Sequence, residues 1–454
     1  MKLDEVRMIS ASGILGYGFP ESSLKAGLAR KPHMIGVDGG SSDPGPHYLG
    51  SGKAFTNRLS IKRDLSLLVR GAIANKIPMV IGTCGGAGGE PHLQMCVELL
   101  REIVREHDLH FKLALIHSEQ DKSWLKARVK ANRMHALGGA APLTDAVIDR
   151  AERIVGMMGP EPYRVALEAG AQVILAGRST DPAPWAALAM HHGMPPAPSW
   201  FAGKMLECAC NAALPKKHDC LMGTVAPGYV EVEPLNPELR CTPLSVAVQA
   251  LHENASPIIH KEPGGILDTS ACEIKAHSER AVRVSGMKWL PQPYTIKLEG
   301  AEKVGYSAIT IAGTRDPGLI GQIDDFVRSV RESVATKVAA FNVSPEDYQL
   351  VVRLYGKDGV MGGWEPHKGA AAHEIGILAE AVAKTQDIAN AVISVIRVTF
   401  LHTDFPGRLC KEGNMAFPFS PSDIERGPVY EFSLRHVVEP DDPYQMFPIE
   451  YETL

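Results

Sequence analysis

The chain has 454 residues, 45% hydrophobic and 22% charged, with a formal net charge of −5. That length exceeds what one hydrophobic core usually serves, so more than one domain is expected, and with no basic excess to neutralise phosphates nucleic acid is not expected as a partner. Eight cysteines without regular C-x-x-C pairs read as reduced thiols; no run of about 18 apolar residues spans a bilayer, and MKLDEVRMISASG lacks the marks of a signal peptide, so a cytoplasmic protein with no membrane association is expected.

In chain order, Val6–Ser10 reads as a strand, Glu21–Arg30 as a helix, and the residues up to Val37 and Asp38 as a second strand. Leu65, Leu68, Val69 and Ile73 give Ile61–Lys76 a helical spacing; Pro78–Ile81 follows as a strand, 91–107 as a helix, 113–117 as a strand and 124–134 as a helix. A second set comprises strand 153–157, helix 160–169, strand 172–176 and an apolar helix over 185–190, followed by a helix over 200–213. This alternation predicts an α/β fold, a parallel sheet with helices on both faces. Beyond residue 215 short strand-like runs (225–232, 281–284, 294–298, 307–312) surround one helix at 244–252 and predict a mixed, β-rich region over 216–317. Helix 320–341, strands 349–354 and 375–382 and helix 385–402 predict a smaller α+β lobe over 318–454, so the second region as a whole is mixed α+β.

Three strands end in Gly-rich loops: ASGILGYGFPESS, DGGSSDPGPHYLGSG and GTCGGAGGEPHL. In an open parallel sheet such loops meet at the carboxyl edge, where α/β proteins bind small molecules. Asp38 stands at a strand end as a candidate base, and the turn Gly39, Gly40, Ser41, Ser42 and Asp43, with Gly85 and Gly86, is a candidate cradle for a substrate anion; the alternative is that Asp38 and Asp43 cap the turn. The loops carry neither a dinucleotide nor a P-loop fingerprint. Cys84 is a candidate nucleophile or, equally in keeping with its place, a packed thiol.

The segment GRSTDPAP brings Arg178, Ser179 and Asp181 to another strand end; the planar guanidinium suits a substrate carboxylate, and Asp181 suits either acid–base work or helix capping. In GKMLECAC, Glu207 lies among apolar residues, which predicts either a raised pKa and a general acid or base, or a salt bridge. The pairs Glu365/His367 and His402/Asp404 would each face one way if they lay on strands, and their carboxylates would select a hard ion such as Mg²⁺ over zinc. No other cofactor is called for.

ISASGILGYGFPESSL, DGGSSDPGPHYLGSG, IGTCGGAGGEPHL, AGRSTDP, KMLECA, PLNPELRCTPLSVA, ENASPIIHKEPGGILDTS and YTIKLEGAEKVGY, taken in order, resemble the acyclic terpene utilisation (AtuA-like) family, in a branch with the DGGSSDPGP loop. The resemblance implies an enzyme of carboxylate or acyl-CoA catabolism, and Ala where this chain has Cys84. Many relatives resemble this chain joined to a small C-terminal domain, which a separate subunit would supply here. The expected function is a hydratase or dehydratase of a small hydroxy-carboxylate or its CoA thioester, using Asp38, Glu207 and Asp181, in a homo- or hetero-oligomer. The alternatives are a subunit completed by a small partner protein and a metal-dependent hydrolase.

Overall fold

The computed structural model describes residues 3–370, 372–410 and 414–454. By contact they form two units, one of residues up to Glu302 together with Phe432–Leu454, the other Lys303–Glu431.

In the first unit the chain runs β1 (Val6–Ser10), α1 (Glu21–Ala29), β2 (Met34–Asp38), α2 (Pro46–Ser51), α3 (Arg58–Asn75), β3 (Met79–Gly82), α4 (Glu90–His107), β4 (Lys112–Ile116), α5 (Lys122–Lys130), β5 (Met134–Ala136), α6 (Asp145–Arg150), β6 (Ala151–Gly156), α7 (Glu161–Glu168), β7 (Val173–Ala176), α8 (Ala183–His191) and α9 (Pro196–Leu206). It continues through the short β8 (Ala213–Leu214), β9 (Leu221–Ala226), β10 (Tyr229–Pro234), β11 (Arg240–Cys241), α10 (Pro243–Leu251), β12 (Ile259–Glu262), β13 (Gly265–Asp268), β14 (Glu273–Ala276), β15 (Val282–Ser285), β16 (Lys288–Pro291) and the start of β17 (Ile296–Thr314).

Ten strands make the main sheet, in the order β14-β15-β10-β9-β1-β2-β3-β7-β4 with a final strand, Ile449–Thr453, on the far edge. Its centre, β1-β2-β3-β7-β4, is parallel. Every residue of β2, β3 and β7 is buried, as strands covered on both faces must be, and this is why their sequences are unbroken apolar runs ended by glycine or acid. Two apolar cores, one led by Trp185, Trp200 and Phe201 and the other by the α3 and α4 faces, cover the two sides.

The compositional break near residue 215 marks where the main sheet turns antiparallel, not where a compact unit ends: β9 pairs antiparallel with β1, and β10 and β15 extend it. Residues 225–232 are two strands joined at Pro227-Gly228, with Ala226 opposite Tyr229. The expected strand near 153–157 is β6, which lies outside the parallel sheet and pairs antiparallel with the first residues of β17. Met134, expected to end a helix, opens β5.

In the second unit the later part of β17 pairs with β19 (Ile375–Ala383), and β19 with β18 (Tyr348–Tyr355). Helices α11 (Pro317–Ile320), α12 (Ile323–Ala339) and α13 (Gln386–His402) cover them, Phe326, Val330 and Val334 meeting Ile393, Ile396 and Phe400 in one core. Thr385 caps α13 by accepting from the Ile388 amide. A 16-residue strand, β20 (Asp423–Val438), was not apparent in the sequence pattern, and the edge strand β21 (Ile449–Thr453) of the main sheet was equally hidden. No helix of the described residues is long and apolar enough to cross a membrane.

Candidate functional site

Because β1, β2, β3 and β7 are neighbours, their carboxyl ends and loops converge. The loops after β3 and β7 are locked together: Arg178 N–H donates to the Gly88 carbonyl at 3.1 Å and to Ser118 Oγ at 2.7 Å. A side chain at Gly88 would put Cβ 2.3 Å from Arg178 N, at a φ of +68° that L residues avoid.

The same close packing accounts for the glycines expected to bind an anion. Gly39 N–H donates to the Gly82 carbonyl (2.7 Å), Gly40 N–H to Asp38 Oδ1 (3.1 Å) and Gly86 N–H to the Thr83 carbonyl (3.3 Å), while the Gly85 carbonyl accepts from Phe55. Asp43 N–H is taken by Ser41 Oγ, and the Ser42 carbonyl accepts from Gly45. The amides of Gly39, Gly40, Asp43 and Gly86 thus donate within the loops themselves. Ser179 N–H likewise meets Thr83 Oγ1 at 3.2 Å, and its hydroxyl shares the space above Gly82 with that of Tyr163. Cys84 is fully buried, and burial, followed by the adjacent Cys96, pushes its thiol well above the ordinary range, the behaviour of a packed thiol.

Arg178, expected as a clamp for a substrate carboxylate, has protein partners instead. Nε donates to Glu299 Oε2 at 3.0 Å, and Nη1 to Asp181 Oδ1 at 3.1 Å and to the Ser179 carbonyl at 2.8 Å. Burial alone would raise Glu299, but Arg178 and Lys297 overcome it and hold the carboxyl at about 2.

Around this pair lie carboxyl groups of the opposite character. Asp38 is pushed well up by burial and then by the Asp181 charge. Asp181 is raised by burial, with Arg178 pulling the other way. Glu207 caps the carboxyl end of α9, which stops at Leu206, short of the expected 213. Its Oε1 accepts from Lys204 Nζ at 2.5 Å, yet burial dominates and takes it to about 8. Lys204 itself is raised: burial opposes its charge, and Glu207 more than offsets that. Glu262, at the end of β12, is raised by burial and then by Asp181 to about 8. Asp181 is thus felt by Asp38, Glu207 and Glu262 alike, and the structure brings the three expected acids into one electrostatic cluster.

Lys204, Glu262 and Glu299 were not among the sequence candidates. Lys204 had a signal, standing three residues before Glu207 on one helical face; Glu299 had one in LEGAEKVGY, which left open whether it lines the site or holds the middle region together, and Glu262, from a distant strand, had none. The C-terminal pairs do not lie on strands: Glu365 ends a single 3₁₀ turn and accepts from the His367 amide at 2.8 Å, and His402 ends α13 with Asp404 beyond it.

A profile of the acyclic terpene utilisation family protein AtuA matches residues 62–217 and 228–410. The chain belongs to this family. The AtuA match takes in Arg178, Asp181, Lys204, Glu207, Glu262 and Glu299, and begins after the loop of Asp38. Comparisons with curated proteins and with solved structures find no match.

Proposed function

We propose that this AtuA family member is a catabolic hydro-lyase, a hydratase or dehydratase of a small hydroxy-carboxylate or its CoA thioester, in keeping with its family's link to terpene utilisation. The observation that carries the reading is the Asp38–Asp181 pair, a buried and a partly exposed carboxyl group that repel each other while Arg178 lies 3.1 Å from Asp181. Such a pair holds one negative charge more readily than two, and the charge resides where the cation is. Asp181 is then the base and Asp38 the acid.

In the dehydration direction Asp181 takes the proton from the carbon beside the carboxyl or thioester carbonyl. The electron pair left behind forms the carbon–carbon double bond as the carbon–oxygen bond breaks, and the hydroxyl departs as water with the proton of Asp38. Solvent returns the proton to Asp38 and removes the one on Asp181. With Nε and Nη1 of Arg178 engaged by Glu299 and Asp181, the cation assigned to the substrate carboxylate is Lys204, whose ammonium has donors beyond the one given to Glu207. The test is elimination of water from a panel of hydroxy-carboxylates and their CoA thioesters, followed by the absorbance of the unsaturated product; no turnover of any member in either direction would contradict the reading.

One observation favours the second reading, a subunit completed by a partner. Leu244, Val248 and Leu251 form an exposed apolar stripe on α10, Leu244 being 74% exposed. If that reading holds, the chain alone shows no thermal shift with carboxylates and gains activity when co-expressed with a small companion protein.

A further inference from the structure

Beside the carboxyl cluster, Cys208, His252 and Glu253 converge: the thiol sulfur, a ring nitrogen and a carboxylate oxygen all lie within 4.8 Å of one another. Cys208 follows α9, and the other two follow α10. The two segments are cross-tied, Asn211 Nδ2 donating to Gln249 Oε1 at 2.9 Å and Gln249 Nε2 to the Lys204 carbonyl at 3.5 Å. Asn254 Nδ2 donates to the carbonyls of His252 (2.8 Å) and Ala250 (3.3 Å), which fixes the turn after α10. In that turn Glu253 adopts a φ of +57° and its Oε1 comes 3.0 Å from His252 Nε2.

We propose that Cys208, His252 and Glu253 are the protein ligands of one zinc-like transition-metal dication. One sulfur, one nitrogen and one oxygen donor select a borderline ion of this kind over Mg²⁺ or Ca²⁺, which take oxygen. Tetrahedral bonds of about 2.0–2.3 Å place donors about 3.3–3.8 Å apart, so a small closing movement completes the geometry. Three protein ligands leave a fourth position for water or a substrate oxygen, the arrangement of catalytic rather than structural zinc. A dication would bind the thiolate form of Cys208, with release of the thiol proton to solvent. The site is distinct from the Glu365/His367 and His402/Asp404 pairs and does not depend on the hydro-lyase reading.

The test is Co²⁺ titration of the full chain after dialysis against a chelator. One Co²⁺ per chain is expected, with a thiolate-to-cobalt charge-transfer band in the near ultraviolet that Zn²⁺ abolishes by displacement. Cys208→Ser is expected to remove the band and Cys410→Ser to leave it. Glu253→Gln, an exposed position, is expected to weaken Co²⁺ binding at least about 10-fold with unchanged circular dichroism. No band at stoichiometric Co²⁺, or a band that survives Cys208→Ser, would overturn the proposal; should Cys208→Ser not fold, unchanged affinity in Glu253→Gln would do the same.

Discussion

Arg178 Nε lies 3.0 Å from Glu299 Oε2, joining the end of β7 to β17 across 121 residues of sequence, with both side chains buried. The ion pair orders the whole candidate site, because the same guanidinium reaches Asp181. Removing one member leaves a buried charge without its partner.

Glu299→Ala is therefore expected to cost about 3–5 kcal/mol of stability in urea unfolding, the range for breaking a buried pair. Glu299→Gln, which can still accept a hydrogen bond from Arg178, is expected to cost less.

The pH dependence has two limbs of opposite sign. Glu262 is pushed up to about 8, by burial first and by Asp181 second, whereas an unfolded glutamate ionises near about 4.3. Between those values the folded chain keeps a proton that the unfolded chain has lost, so stability falls as pH rises through that window. Glu299, held at about 2, acts in the other sense: its contribution is complete above about 4.3 and is lost as pH falls through about 2. Urea unfolding from pH 4.5 to 8.5 is expected to show the falling limb. Glu262→Gln is expected to flatten it by about 1 kcal/mol, a modest share because Glu262 keeps some contact with water.

Gly88→Ala is expected to destabilise by at least about 2 kcal/mol, since it combines a left-handed backbone with a Cβ 2.3 Å from Arg178 N. Differential scanning calorimetry reads the loss, and activity is expected to fall with it because the β3 and β7 loops separate.

Cys84→Ala separates packing from catalysis. The thiol is fully buried and lies 3.9 Å from the Ile81 carbonyl, so the variant is expected to lose about 1 kcal/mol of stability and to retain kcat within about 2-fold.

Much of the central sheet was legible in the sequence. β1, β2 and β3 fall within a residue or so of their expected limits, because burial on both faces writes an uninterrupted apolar run and the following loop writes glycine. What an apolar run does not carry is the identity of its neighbour. The ERIVG residues of β6 read like those of β7, yet one pairs with β17 and the other with β3 and β4. β20 went unseen because its two faces alternate too weakly, most of its residues being partly or wholly exposed. In the site, Asp38 and Asp181 stood out through their positions at strand ends and Glu207 through its apolar surroundings, while Glu299 and Glu262 are brought in by tertiary pairing.

The central claim is that Asp181 and Asp38 move protons to and from a carbon beside a carboxyl or thioester carbonyl. Its most direct test is proton NMR in D₂O of the purified chain, loaded with Zn²⁺ or freed of it, against hydroxy-, unsaturated and branched carboxylates and their CoA thioesters. The account predicts solvent deuterium at that carbon together with gain or loss of water, the exchange slowed about 10²–10⁴-fold in Asp181→Asn and the elimination of water slowed about as much in Asp38→Asn. Exchange that persists at the parental rate in Asp181→Asn, or no deuterium on any compound, would contradict it.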